Sequence, residues 1–173
     1  RPYIAPVLDQ DSFRLRNDDG NETTATWKAA INQNASLNAD ENFRCRFVVQ
    51  ETGGGASANE GFRFQYQLNS GSWTDITNIS SVVNWASSPN YADGTDCTQQ
   101  LGTGTFIADN NGLVENEFTG AVTDFAGNDE TEIEGCFTIV SADVSNGDTI
   151  QLRIITDAYG ALTSYTNTPS ITV

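Results

Sequence analysis

Histidine and methionine are absent from this 173-residue sequence, lysine occurs once (Lys28), and cysteine three times. Without His there is no His-based general acid–base catalysis, no Ser-His-Asp or Cys-His nucleophile pair and no His-ligated zinc. Basic residues are scarce: 8 Lys and Arg face 23 Asp and Glu, a formal charge of −15. That balance argues against a nucleic-acid partner, because phosphate-backbone affinity comes from neutralising phosphates with Lys and Arg. No run reaches the roughly 18 apolar residues of a bilayer-spanning helix, so no membrane span is expected. The chain opens Arg1-Pro2-Tyr3, which reads most simply as a product whose leader has been removed, the alternative being a partial sequence. What is abundant is Ser, Thr and Asn, 50 of the 173 residues. A polar, acidic, lysine-poor surface of this kind suits an extracellular or cell-surface protein.

The dominant signal is period two. Phe13–Arg16, Phe43–Phe47, Phe62–Leu68, Ile133–Ile139 and Ile150–Ile154 alternate apolar with polar residues. Successive side chains of a strand point to opposite faces, so each segment should bury one row and wet the other. Shorter candidates are Thr24–Trp27, Trp73–Ile76, Ser81–Trp85, Thr103–Ile107 and Ser170–Val173. Turn-forming clusters such as Asp18-Asp19-Gly20, Gly53-Gly54-Gly55, Asn110-Asn111-Gly112 and Asn146-Gly147-Asp148 lie between them. Only Thr26–Leu37 could form a helical turn or two. Some nine or ten short strands so punctuated predict an all-β fold, an antiparallel β-sandwich of jelly-roll or immunoglobulin-like type, over residues 12–173.

Residues 1–11 differ. Pro2 and Pro6 bar a central-strand role, yet Tyr3, Ile4, Val7 and Leu8 are too apolar for a free tail. The segment is expected to be an extended N-terminal arm. It either folds back on its own domain or reaches a neighbouring subunit by strand addition.

Three cysteines leave one over. Cys45 is in phase with Phe43 and Phe47 and should face the core as a small hydrophobe. Cys136 has the phase of Glu134 and Thr138, and Cys97 adjoins a turn. A Cys97–Cys136 disulfide is the favoured pairing, beside intermolecular pairing and three free thiols.

Three Asn-x-Ser/Thr sequons mark Asn21, Asn34 and Asn78 as glycosylation candidates. Asn21 is the best placed, because Asp19 stands two residues before it and Gly20 puts it in a turn. Acidic loops make Asp93, Asp96, Asp109, Asp124 and Asp129 weak calcium candidates, although no EF-hand spacing is present and acidic turns commonly just solvate a surface. No other cofactor is expected, and no catalytic activity. Trp27, Trp73, Trp85, Tyr91, Tyr159 and Tyr165 could build a sugar-stacking platform, with Trp27 and Trp85 reading as structural and Tyr91 and Tyr159 as contact residues.

The blocks Phe13–Trp27, Gln50–Gly54, Thr98–Phe106 and Ala142–Ile150 resemble a group of secreted bacterial β-sandwich proteins known largely from environmental sequence, the protomers of glycan-coated extracellular fibrils in particular. The resemblance spans about residues 12–173 and carries no catalytic motif. It implies homopolymeric self-assembly into a fibre with covalent surface glycans, subunits being joined by an extended terminal strand. The alternatives are a carbohydrate-binding or adhesive module of a larger surface protein and a viral capsid or decoration protein.

Overall fold

A computed structural model describes residues 2–109, 111–116, 119, 122–158 and 160–173, with backbone only at 58, 59 and 122–124. The strands in chain order are β1 (Leu8–Asn17), β2 (Ala35–Ser36), β3 (Asn42–Glu51), β4 (Ser57–Glu60), β5 (Phe62–Leu68), β6 (Thr74–Asp75) and β7 (Val83–Trp85). They continue as β8 (Thr105–Phe106), β9 (Leu113–Val114), β10 (Val122–Phe125), β11 (Asp129–Ile139), β12 (Thr149–Thr156), β13 (Ser164–Tyr165) and β14 (Ser170–Thr172). One sheet runs β13-β1-β3-β11-β7, with β8 and β9 also on β11. The second runs β2-β14-β12-β5-β6, and β4 pairs with β10 in a two-stranded ribbon. This is an all-β sandwich. Its long strands pair antiparallel, while the two-residue strands β13, β8, β9 and β2 attach in parallel.

The apolar rows meet between the sheets. Phe13, Leu15, Phe43, Phe47, Ile133 and Phe137 come from one, and Phe62, Phe64, Tyr66, Ile150, Leu152 and Ile154 from the other. At the centre Phe64 meets Trp85 edge-on at 5.2 Å and Phe137 at 5.5 Å. Such aromatic pairs add about 0.5–1.5 kcal/mol each beyond the burial of their area. Gly135 makes room for this cluster: a Cβ there would lie 2.2 Å from the Phe137 ring.

Three expectations change. Residues 26–34 form turns rather than a helix. They run along the free edge of β1, where Lys28 N–H donates to Leu15 carbonyl at 2.9 Å and the Asn32 side-chain oxygen accepts from Phe13 N–H at 2.9 Å. An edge so covered offers no template for pairing. Next, the first sheet buries both its faces: β11 is buried at ten of its eleven positions, so its polar row is not wetted. Last, the boundary at residue 11 moves, because β1 starts at Leu8 and pairs with β3 from Leu8↔Glu51 onward. Pro2 and Pro6 precede this strand and leave its ladder intact. A bulge between Gln10 and Ser12 lets β1 reach both sheets: Gln10 Oε1 accepts from Ile154 N–H at 2.9 Å, and Gln10 Nε2 donates to Asn167 carbonyl at 2.8 Å. Residues 8–11 are therefore integral to the sandwich, and the extended segment shortens to 2–7.

Candidate assembly segment and the buried ionic face

The N-terminal segment grades from free to fixed. Tyr3 is 85% exposed and Ile4 46%, Val7 is half-buried, and Leu8 is 6% exposed within the core. Leu8 is thus not available to fill a neighbour's groove. Val7 is tied at both backbone groups, its N–H donating to Glu51 Oε1 at 3.0 Å and its carbonyl accepting from Thr52 N–H at 2.8 Å. The same Glu51 carboxylate accepts from the N–H groups of Gly53, Gly54 and Asn128. Burial alone would raise the Glu51 carboxyl, but these four backbone donors outweigh it and hold it below the ordinary range. The glycine run beside it lets the segment lie close: a Cβ on Gly55 would come 2.3 Å from the Ile4 carbonyl oxygen.

On the outer face of the first sheet, β1, β3 and β11 carry Arg16, Arg44, Arg46, Glu132 and Glu134, all fully buried. Register explains the match, since Arg16 stands opposite Arg44 across β1/β3 and Glu134 opposite Arg46 across β3/β11. Glu134 takes all three guanidinium groups, from Arg46 at 2.8 Å, Arg16 at 3.0 Å and Arg44 at 3.3 Å. Arg46 also pairs with Glu132 and with Glu22 at 2.7 Å, and Arg44 with Asp18 at 2.7 Å. Two loops roof this row. In residues 18–27, Gly20 and Glu22 carbonyls accept from Arg44 and Arg16, and Trp27 lies under Arg14 and Arg16 at 4.6 and 4.3 Å. In residues 87–104, Glu132 Oε1 accepts from the consecutive N–H groups of Gln100, Leu101 and Gly102 at 2.8, 2.6 and 2.8 Å. Glu130 holds Gly104 N–H at 2.8 Å. A Cβ on Gly102 would fall 2.0 Å from Glu130 Oε1, so a side chain there would displace that carboxylate.

Burial would also raise Asp18 and Glu22. Asp18 is instead held below the ordinary carboxylate range by hydrogen bonds from Ser88, Asn42 and Arg44, and Glu22 by Thr98 N–H and the Arg46 charge. Chemically, the face acts as a clamp that binds loops to a sheet.

The other candidates fall in separate places. Asn21, Asn34 and Asn78 are all exposed. Asn21 Oδ1 accepts from the backbone N–H groups of Thr23 and Thr24, each at 3.0 Å, Asn34 Oδ1 accepts from Ser170 N–H at 2.9 Å, and Asn78 Nδ2 donates to Asn116 at 3.4 Å. Cys45, Cys97 and Cys136 are all buried free thiols, so the Cys97–Cys136 disulfide is not formed. Cys136 does lie on the outer face of β11 with Glu134, but loops roof that face and keep it from water. Burial raises both the Cys97 and Cys136 thiols well above their ordinary range, which makes them inert.

Asp93 and Asp96 bind the N–H groups of Glu115 and Asn111, and Asp129 caps its own turn through Ala126 N–H. The Asp124 side chain and Tyr159 lie outside the described residues. Among the described residues no three His, Cys, Asp or Glu side chains converge on a metal position. Tyr91 is not a free contact residue: its ring stacks on Arg44 at 4.7 Å and its hydroxyl donates to Val114 carbonyl at 3.2 Å. Trp73 and Tyr165 flank Arg153, and Trp85 is in the core.

Sequence reasoning missed the ionic face. Its signal was present in the charges of the alternating rows, Arg on Phe13–Arg16 and Phe43–Phe47 and Glu at 130, 132 and 134. Opposite charges on strands of matching period are the mark of cross-strand pairing. No family model, curated protein or solved structure matches the chain.

Proposed function

We propose that this chain is a non-catalytic structural subunit that assembles head-to-tail into an extracellular or cell-surface filament, its N-terminal segment contacting the next subunit by strand addition. The observation that carries this reading is the pair of adjacent large apolar side chains, Tyr3 at 85% and Ile4 at 46% exposure, on a segment anchored at its other end in the core. Extended apolar backbone of this kind supplies main-chain hydrogen bonds for direction and side chains for pockets. A contact between one subunit's segment and a different surface of the next is heterologous, so it does not close and propagates instead. Two features support the subunit role. The sandwich is cross-braced by buried ion pairs on one face, and the exposed sequon asparagines Asn21, Asn34 and Asn78 are open to glycans. A sugar-stacking module is less favoured, since Trp27, Trp73, Trp85, Tyr91 and Tyr165 are each engaged within the fold.

Removing residues 1–5, which leaves Val7 and β1 in place, tests the reading. Negative-stain microscopy should show filaments of the intact chain and single subunits of the shortened one. Filaments formed equally well by both would overturn the segment's role.

A further inference from the structure

Asp109, between β8 and β9, is fully buried. Its Oδ2 accepts from the Thr119 hydroxyl at 3.0 Å, whereas its Oδ1 has no partner. This breaks the pattern of the molecule. Glu51 is saturated by four backbone N–H groups, Glu132 by three and an arginine, and Glu134 by three arginines. The other orphaned side-chain atom among the described residues is a neutral hydroxyl, on Thr131. A carboxylate oxygen buried without a donor is costly, so it calls for a partner that none of the described residues supplies.

The surroundings say what kind. Residues 93–96 are laced to 111–115: Gly94 N–H donates to Leu113 carbonyl at 3.0 Å, Leu113 N–H to Thr95 carbonyl at 2.9 Å, and Asn111 N–H to Asp96 Oδ1 at 2.9 Å. Gly112 N–H closes on the Asp109 carbonyl at 3.2 Å. Asn111 takes a left-handed φ of 69°, and Gly94 takes φ +81° with open space for a side chain only up to the Asn111 amide oxygen, 3.1 Å from where a Cβ would stand. Asp96 is thus held on the backbone of the turn that carries Asp109, and the Asn111 side-chain oxygen lies beside Gly94 in the facing turn. Burial first and the Asp96 charge second push the Asp109 carboxyl up to about 8, and among the described residues no Lys or Arg pairs with either aspartate.

We propose that Asp109 and Asp96, with the side-chain oxygen of Asn111, bind one calcium ion. Oxygen-only donors select a hard cation, and calcium accepts the irregular geometry and the water ligands that two carboxylates leave to be filled. The ion satisfies Asp109 Oδ1 and cancels the repulsion between the two carboxylates. With so few charged ligands the site belongs to the weak, extracellular range, with Kd of about 10⁻⁴–10⁻³ M. It does not depend on the assembly reading.

Calorimetric titration of the metal-stripped full chain with calcium chloride at pH 7.5 tests the site. One saturable event is expected. The melting temperature should rise by about 3–6 °C at a tenfold excess over Kd. Asp109→Asn and Asp96→Asn should each weaken binding at least tenfold, while Asp143→Asn, an exposed acidic control, should bind like the parent. Asp96 is exposed, so its variant decides the matter should Asp109→Asn fail to fold. Absence of saturable binding up to about 20 mM calcium, more than tenfold above the expected Kd, or an Asp96→Asn variant within twofold of the parent, would overturn the assignment.

Discussion

Two stretches without regular strand structure, the N-terminal segment and the loop at residues 18–27, are treated in opposite ways by the same sandwich. The loop is polar and is held by buried charge, with Asp18 and Glu22 paired to Arg44 and Arg46 beneath it. The segment is apolar, is tied at Val7 through Glu51 and Thr52, and leaves Tyr3 and Ile4 in solvent. Polar loops over a charged face gain directional bonds that fix them in one place. Apolar groups left without a cover gain only by finding one. The contrast separates what holds the subunit together from what joins it to others.

The largest effect should come from breaking the clamp. Glu134→Gln removes the charge that three buried guanidinium groups share and leaves Arg16 without an ion-pair partner among the described residues, while Arg44 and Arg46 keep Asp18, Glu22 and Glu132; uncompensating a buried charge in this way costs about 3–5 kcal/mol. Chemical denaturation should register it, and hydrogen exchange should show residues 18–27 opening while Val7 and Thr52 stay protected. A loss below about 1 kcal/mol, the scale of an exposed pair, would mean that the face is a solvated surface after all.

Acid should act next, in a direction set by the shifts. Asp18, Glu22 and Glu51 sit below the ordinary values of 3.8, 4.5 and 4.5 in the folded chain. Their contribution is therefore present above about pH 5 and is lost as pH falls through the folded values. Asp109 has the opposite sign: raised to about 8, it costs increasing stability as pH climbs from its ordinary 3.8 toward that value. In chelator the melting temperature should peak in mildly acidic solution and fall on both sides. Asp109→Asn should remove the alkaline decline and keep the acid one. A decline unchanged in that variant would place its origin elsewhere.

Much of this fold is legible in the sequence because alternation is a local property. β5 spans Phe62–Leu68, as its pattern predicts, and the alternating cores of β1, β3, β11 and β12 fall within their strands. What period two cannot encode is whether a polar row meets water or a loop. Arg44 and Arg46 read as solvent-facing for that reason, and Cys136 inherited the error. The arm boundary failed differently. Leu8 and Gln10 look like the residues before them, and only their partners Glu51, Ile154 and Asn167, distant in sequence, draw them into the sandwich. The acidic candidates were legible as residues but not as a set, because backbone N–H groups distant or local in sequence hold Asp93, Asp96 and Asp129, while Asp109 keeps a bare buried oxygen.

The smallest effect on stability should accompany the largest effect on assembly. Tyr3→Ser combined with Ile4→Ser alters side chains that are 85% and 46% exposed in the subunit, so the melting temperature of the isolated subunit should stay within about 2 °C of the parent, the range of a surface change. The most direct measurement is sedimentation of this double variant beside the parent under filament-forming conditions. The parent should pellet as filament, and the variant should remain a folded monomer with an unchanged melting temperature. A variant that pellets as filament like the parent would contradict the segment's role in assembly.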